Sequence, residues 1–178
     1  MLRQLSIITA IGLLAATGFA NETAAPAAST GPTDAQIAHI VVTANTVDIE
    51  AGKLGQKSKN KEIQTFAKLM VTDHSAVNKQ ATDLAKKLKV TPEDNATSKA
   101  LAKGGEENRA KLKKLKGAEF DKAYVDHEVD YHVQVLEAID TTLIPNAKNP
   151  DLKALLEKTR PAIAAHLEHA KKVQSELK

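Results

Sequence analysis

Six histidines are spread along this 178-residue chain, and three of them fall on apolar helical stripes. Met70, His74, Val77, Ala81 and Leu84 share one face at helical spacing. Val125, Glu128, His132, Leu136 and Ile139 share a second, and Leu152, Leu156, Thr159, Ile163, His166, Ala170 and Val173 a third. An imidazole left unpaired in an apolar interior costs roughly 2–7 kcal/mol, so three of them facing one core call for a partner. A shared transition-metal ion is one such partner. Glu128 precedes His132 by one helical turn, so a carboxylate and an imidazole leave the same face and can meet one ion. Glu50, three residues after Val47 and four before Leu54, can add a carboxylate from an earlier segment. A mixed imidazole and carboxylate set suits zinc, iron, copper or manganese, and spacing does not rank them.

Each residue also has a plainer reading. A lone inward histidine is ordinarily bonded to a backbone carbonyl or a nearby acid. Glu128 can be a surface acid, and Glu50 can belong to an acidic edge with Asp48. Asp73 faces about 100° away from His74 on the same helix and is a poor co-ligand. His127 and His169 are expected beside the ligands or at the surface, and His39 is expected to be exposed.

Four helices must position these groups. Thr33 or Asp34 caps the first, which runs to about Gly52 or Leu54 with Ile37, Ile40, Val41, Ala44, Val47 and Ala51 inward. Asn60 caps the second, which ends before Pro92, since proline disfavours helical geometry at Thr91. Residues 93–116 carry Gly104-Gly105, each glycine costing about 1 kcal/mol against alanine, and read as a broken, mobile connector. A third long helix spans Glu119 to about Leu143. A fourth opens at Pro150-Asp151, and Pro161 is expected to kink it. No segment alternates as a strand does. The expectation is an all-α, four-helix up-and-down bundle with a long connector between its second and third helices.

Residues 1–20 read as a cleavable signal peptide: a short basic start, an apolar run from Leu5 to Ala16, and Gly18 and Ala20 ahead of the cut. Residues 21–32 form a flexible leader rich in Ala, Pro, Ser and Thr, and 33–178 one helical domain. The apolar run is shorter than the roughly 20 residues a bilayer span needs, so no integral membrane segment is expected in the mature chain. Without Arg3 the chain holds 24 basic against 22 acidic residues, and it has no cysteine or tryptophan. Near-neutral charge and 3% aromatics argue against a nucleic-acid partner. There is no cysteine nucleophile, phosphate-binding glycine loop or nucleophile elbow.

Three stretches resemble one bacterial family. They are Phe66 to His74 (FAKLMVTDH), Leu115 to Tyr124 (LKGAEFDKAY) leading to His132, and His166 to Ala170 (HLEHA). The chain is similar, over roughly 34–175, to the exported ferritin-like family called domain of unknown function 4142, whose members are often labelled outer-membrane proteins. The resemblance implies a ferritin-like bundle, a periplasmic or envelope location, and functional roles for His74, His132 and His166, with Glu50 matching the acid of the family's first helix. Di-iron ferritin-like proteins carry two Glu-x-x-His pairs. Here the Glu128 to His132 spacing is one residue longer and the fourth helix holds no second pair, so ferroxidase chemistry is not expected. The leading reading is a soluble periplasmic protein that binds a transition metal through core His and Glu residues, for sequestration or envelope stress protection. The alternatives are a non-catalytic interaction module with internally bonded histidines and, behind it, a metal-dependent oxidoreductase.

Overall fold

Thr33 opens the first helix with a capping box: its hydroxyl accepts from the Gln36 N–H at 3.3 Å, and the Gln36 side chain accepts from the Thr33 N–H at 3.1 Å. The helix it starts, α1 (Asp34–Gly55), is followed by α2 (Lys61–Leu88), α3 (Ala96–Leu112) and α4 (Gly117–Ala138). A π-helical turn (Ile139–Leu143), the short α5 (Ile144–Asn146) and α6 (Pro150–Glu176) complete the chain. This architecture comes from a computed structural model that describes residues 31–177. The expected signal segment 1–20, and all but the last two residues of the 21–32 leader, lie outside the described residues. Among the described residues all regular structure is helical, and no helix is long and apolar enough to cross a membrane.

Asparagine starts three of the long helices. The side chains of Asn60, Asn95 and Asn149 accept from backbone N–H groups of the first turns of α2, α3 and α6. Two polar ties fix the helix ends together. The Asp34 carboxylate accepts from the Lys148 and Asn149 N–H groups at 2.9 and 3.0 Å, which pins the start of α6 to the start of α1. The Glu93 N–H donates to the Ala35 carbonyl at 3.0 Å, which seats the entry to α3 on the same end.

The 93–116 segment departs from its sequence reading. It is not a broken connector: α3 is a continuous helix of 17 residues packed along α1. Gly105 explains the difference. It is buried, and a Cβ there would lie 2.8 and 2.9 Å from the two γ-methyls of Val47. The glycine therefore costs helix propensity but lets α3 close on α1, and packing outweighs propensity. The next helix starts at Gly117, two residues before Glu119, and gives way to the π-helical turn before Leu143. α6 runs on through Pro161, which lies on the exposed face.

Two apolar clusters fill the interior. One gathers Ala51, Ile63, Phe66, Met70, Tyr124 and Val173, and the other gathers Ile37, Ile40, Ala81, Ile139, Leu156 and Ile163. Along α1, α2, α4 and α6 the buried residues pass from one cluster to the other, and each helix carries polar side chains at the crossing point. α1 and α6 run from the second cluster to the first; α2 and α4 run the opposite way. A buried polar layer thus lies across the middle of the bundle, between two apolar ends.

Candidate metal centre

The polar layer consists of Asn45 and Asp48 from α1, His74 from α2, Glu128 and His132 from α4, and His166 from α6. Asp48, His74, Glu128, His132 and His166 are each no more than 4% exposed. The three imidazole rings form a triangle, with centroids 5.7 Å apart for His74 and His132, 5.2 Å for His74 and His166, and 5.7 Å for His132 and His166. The remaining pair, Asp48 and Glu128, closes the layer on the His132 side.

Hydrogen bonds fix the tautomer of every ring. The Asn45 amide donates to the Val41 carbonyl at 2.8 Å, so its oxygen faces His74, and His74 Nδ1–H donates to that oxygen at 2.7 Å. His132 Nδ1–H donates to the Glu128 carbonyl at 2.8 Å. His166 Nε2–H donates to the Asp73 carboxylate at 2.9 Å. In each case the partner can only accept, so the other ring nitrogen carries a lone pair. Those nitrogens, His74 Nε2, His132 Nε2 and His166 Nδ1, are buried and have no hydrogen-bond partner among the described residues. One nitrogen from each ring falls in a group whose members all lie within 4.8 Å of one another. Ligands of a four-coordinate ion with metal–nitrogen bonds of about 2.0–2.1 Å stand roughly 3.4 Å apart, so the three rings would have to close in to share one ion and would leave a fourth position to another donor.

The carboxyls complete the donor set. Asp48 Oδ2 lies 3.2 Å from His74 Nε2 and 3.5 Å from His132 Nε2, and neither approach makes a hydrogen bond. Both Asp48 oxygens and both Glu128 oxygens lack a hydrogen-bond partner among the described residues. Burial governs the electrostatics. It lowers His74 to about 3, reinforced by the neighbouring His166 and opposed by Asp73. Burial also lowers His132, against the pull of Asp48. Burial raises Asp48, with His132 opposing, and raises Glu128 well above the usual carboxylate range, helped by the negative charge of Asp48. Tyr124 and Tyr131 flank the layer and are raised well above the usual tyrosine value, burial being the main cause and the two carboxyls adding to it. Neutral imidazoles beside two poorly solvated carboxyls, whose burial disfavours their charged forms, make a lone-pair-rich pocket. Such a group of His, Asp and Glu side chains could hold a metal ion.

The structure brings His74, His132, His166 and Glu128 together, and it does not bring Glu50 with them. Glu50 is only partly buried, on α1, and pairs with Lys53. Two residues on a helix lie about 200° apart, so when Asp48 points inward Glu50 points out. The first-helix acid that lies in the buried layer is Asp48 rather than the expected Glu50. Asn45, also unexpected there, shares with Asp48 and Gly52 the i, i+3, i+7 stripe of α1. Asp73 does not contact the ring beside it in sequence, as expected, but it orients His166 from the next helix. His169 packs edge-on against Phe66 and His127 stacks on Tyr131. His39 is half-buried rather than exposed.

Residues 19–173 match the family described as Domain of unknown function (DUF4142), and the chain belongs to that family. No curated protein matches it. A solved structure, CopM in the Cu(II)-bound form, is similar over 82% of this chain and 98% of that one, with a TM-score of 0.65 at 12% identity. At that identity the likeness is one of fold.

Proposed function

We propose that this member of the DUF4142 family is an exported, periplasmic protein that holds one transition-metal ion, copper(II) in first place, in its mid-bundle polar layer. The observation that carries the reading is the set of three unpartnered imidazole nitrogens, each fixed as a lone-pair donor by a hydrogen bond on the far side of its ring. Metal-ligating histidines are held in this way by outer partners. His74 Nε2, His132 Nε2 and His166 Nδ1 would ligate, with Asp48 as the carboxylate donor and Glu128 beside it. A bound ion would supply the positive charge that the two buried carboxyls otherwise lack.

Copper is ranked first for two reasons. Sites with nitrogen and oxygen donors favour Cu(II) over the other divalent first-row metals, and CopM, of similar fold, has a Cu(II)-bound form. We read α1, α2, α4 and α6 as a ferritin-like four-helix unit, with α3 as its long crossover. The role that fits a closed site with one ligand set is sequestration of the metal in the envelope rather than turnover.

The test is calorimetric titration of tag-free, chelator-stripped protein with Cu(II), Zn(II), Fe(II) and Mn(II). One equivalent of Cu(II) should bind, more tightly than Zn(II), and should raise the melting temperature by mass action. Alanine at 74, 132 or 166 should each abolish the shift, and His39→Ala should leave it intact. Absence of binding at sub-millimolar concentration, with an unmoved melt, defeats the reading.

A further inference from the structure

The polar layer forms one wall of a cavity of about 180 Å³. The remaining walls are almost wholly hydrocarbon, with Ile40, Val77, Leu143, Leu156 and Ile163 among them. His74, His132 and Asp48 close the inner end, and Thr97 of α3 and Gln134 of α4, both exposed, stand at the outer end. The π-helical turn Ile139–Leu143 contributes Ile139, Thr142 and Leu143 to this space. Single-turn π segments inside α-helices are frequent at functional sites.

An apolar space of this size is costly to leave empty, and beyond the Asp48, His74 and His132 end it is poorly furnished for water, which needs two to four polar partners. An engineered apolar cavity of about 150 Å³ stays dry and takes up benzene, so the volume suits a guest of one aromatic ring. Among the described residues the lining contains no lysine or arginine, and its only carboxylate is Asp48, so an anionic guest meets no counter-charge there. We propose that this cavity is a binding site for a small uncharged molecule with a hydrocarbon body and at most one polar group, seated against the His74 and His132 rings. The guest's polar group, where it has one, faces Asp48 and the two imidazoles, and its body fills the hydrocarbon end. The site is a property of the metal-free fold and does not depend on an ion.

Isotope-labelled, metal-free protein titrated with benzene and with phenol, followed by NMR, tests this. Both should give saturable shifts confined to cavity residues and to the ring signals of His74 and His132. Benzoate, the same ring bearing a charge, should bind at least tenfold more weakly. Ala138→Leu fills the cavity beside the π-helical turn and Thr142→Leu fills it from within that turn. Each should weaken benzene at least tenfold while keeping the helical circular dichroism of the parent. No saturable shift up to the solubility of benzene overturns the proposal. Benzoate binding as tightly as benzene, or benzene binding unchanged in both folded variants, overturns it too. Should both variants unfold, the three titrations of the parent protein decide alone. Because the protein is stripped of metal, a failed copper titration leaves this result standing, and a failed benzene titration leaves the copper result standing.

Discussion

Asp48 Oδ2 and His74 Nε2 lie 3.2 Å apart, buried, with no hydrogen bond between them. The Asn45 oxygen holds the His74 proton on the opposite side of the ring, at Nδ1, so a carboxylate oxygen and an imidazole lone pair stand side by side. That arrangement is repulsive without a positive charge to share. Outer-shell partners of this kind typically control metal affinity by 10- to 100-fold. Asn45→Ala and Asp73→Ala should therefore each weaken Cu(II) binding about 10- to 100-fold, and Glu50→Ala should change it less than about twofold. Equal losses in all three variants, by competition titration, would show that ring orientation is irrelevant.

The same logic predicts that the metal-free protein is strained by its own site. Glu128 is fully buried, with burial and Asp48 pushing its carboxyl well above the usual range. A buried group without a hydrogen-bond partner costs about 1–3 kcal/mol, and more when charged. Glu128→Gln should raise metal-free stability by about 1–3 kcal/mol, seen as a higher denaturant midpoint at unchanged slope. A lower midpoint at neutral pH contradicts the reading of Glu128 as an uncompensated acid.

Acid should unfold the metal-free protein through its histidines. His74 is held near 3 in the fold against 6.5 when exposed, so the unfolded chain takes up a proton that the fold refuses, and stability falls as pH drops from 6.5 toward 3. The raised carboxyls act oppositely: the cost of Asp48 and Glu128 shrinks on acidification, and that relief is complete below their ordinary values of 3.8 and 4.5. Asp83 and Asp140, lowered by hydrogen bonds to Lys79 and Arg160, add to the acid loss. Between about pH 3.8 and 3 the histidine contribution is unopposed, with a slope of about 1.4 kcal/mol per pH unit from His74. Denaturant midpoints across that range should fall steeply, and His74→Gln should flatten the limb. A wild-type limb as flat as the variant's means His74 is protonated in the fold.

The two adjacent glycines of α3 should respond in opposite senses to the same change. A Cβ on Gly104 meets nothing within 4 Å, whereas one on Gly105 strikes Val47. Gly104→Ala should stabilise by up to about 1 kcal/mol through helix propensity, and Gly105→Ala should destabilise by about 1–3 kcal/mol through overpacking. Thermal melts of both variants check this, and a common direction of shift would mean α3 is not seated on α1.

Helix periodicity showed that His74, His132 and His166 face inward, because each sits on a largely apolar stripe and the helix period is rigid. Glu128 followed from its one-turn spacing to His132. The α1 donor was missed because that helix packs against both α2 and α3. Its inward face is broad and mixes Asn45 and Asp48 with Val41, Val47 and Ala51, so no narrow stripe singles out the acid. Asp73 was beyond reach for another reason. Its partner is 93 residues away on α6, and intrahelical spacing says nothing about contacts between helices. The glycines of α3 misled because propensity is local, whereas the need for a bare Cα at Gly105 arises only from Val47 across the helix interface.

The candidate donors Asp48, His74, His132 and His166 come from four helices far apart in a chain with no cysteine. An ion gripping all four would act as a removable rivet. Peeling any one of these helices away would first require a ligand to let go, so the loaded protein would open rarely while the empty one breathes. Resistance to a protease would then read out metal supply directly, the empty protein being short-lived and the loaded one persistent.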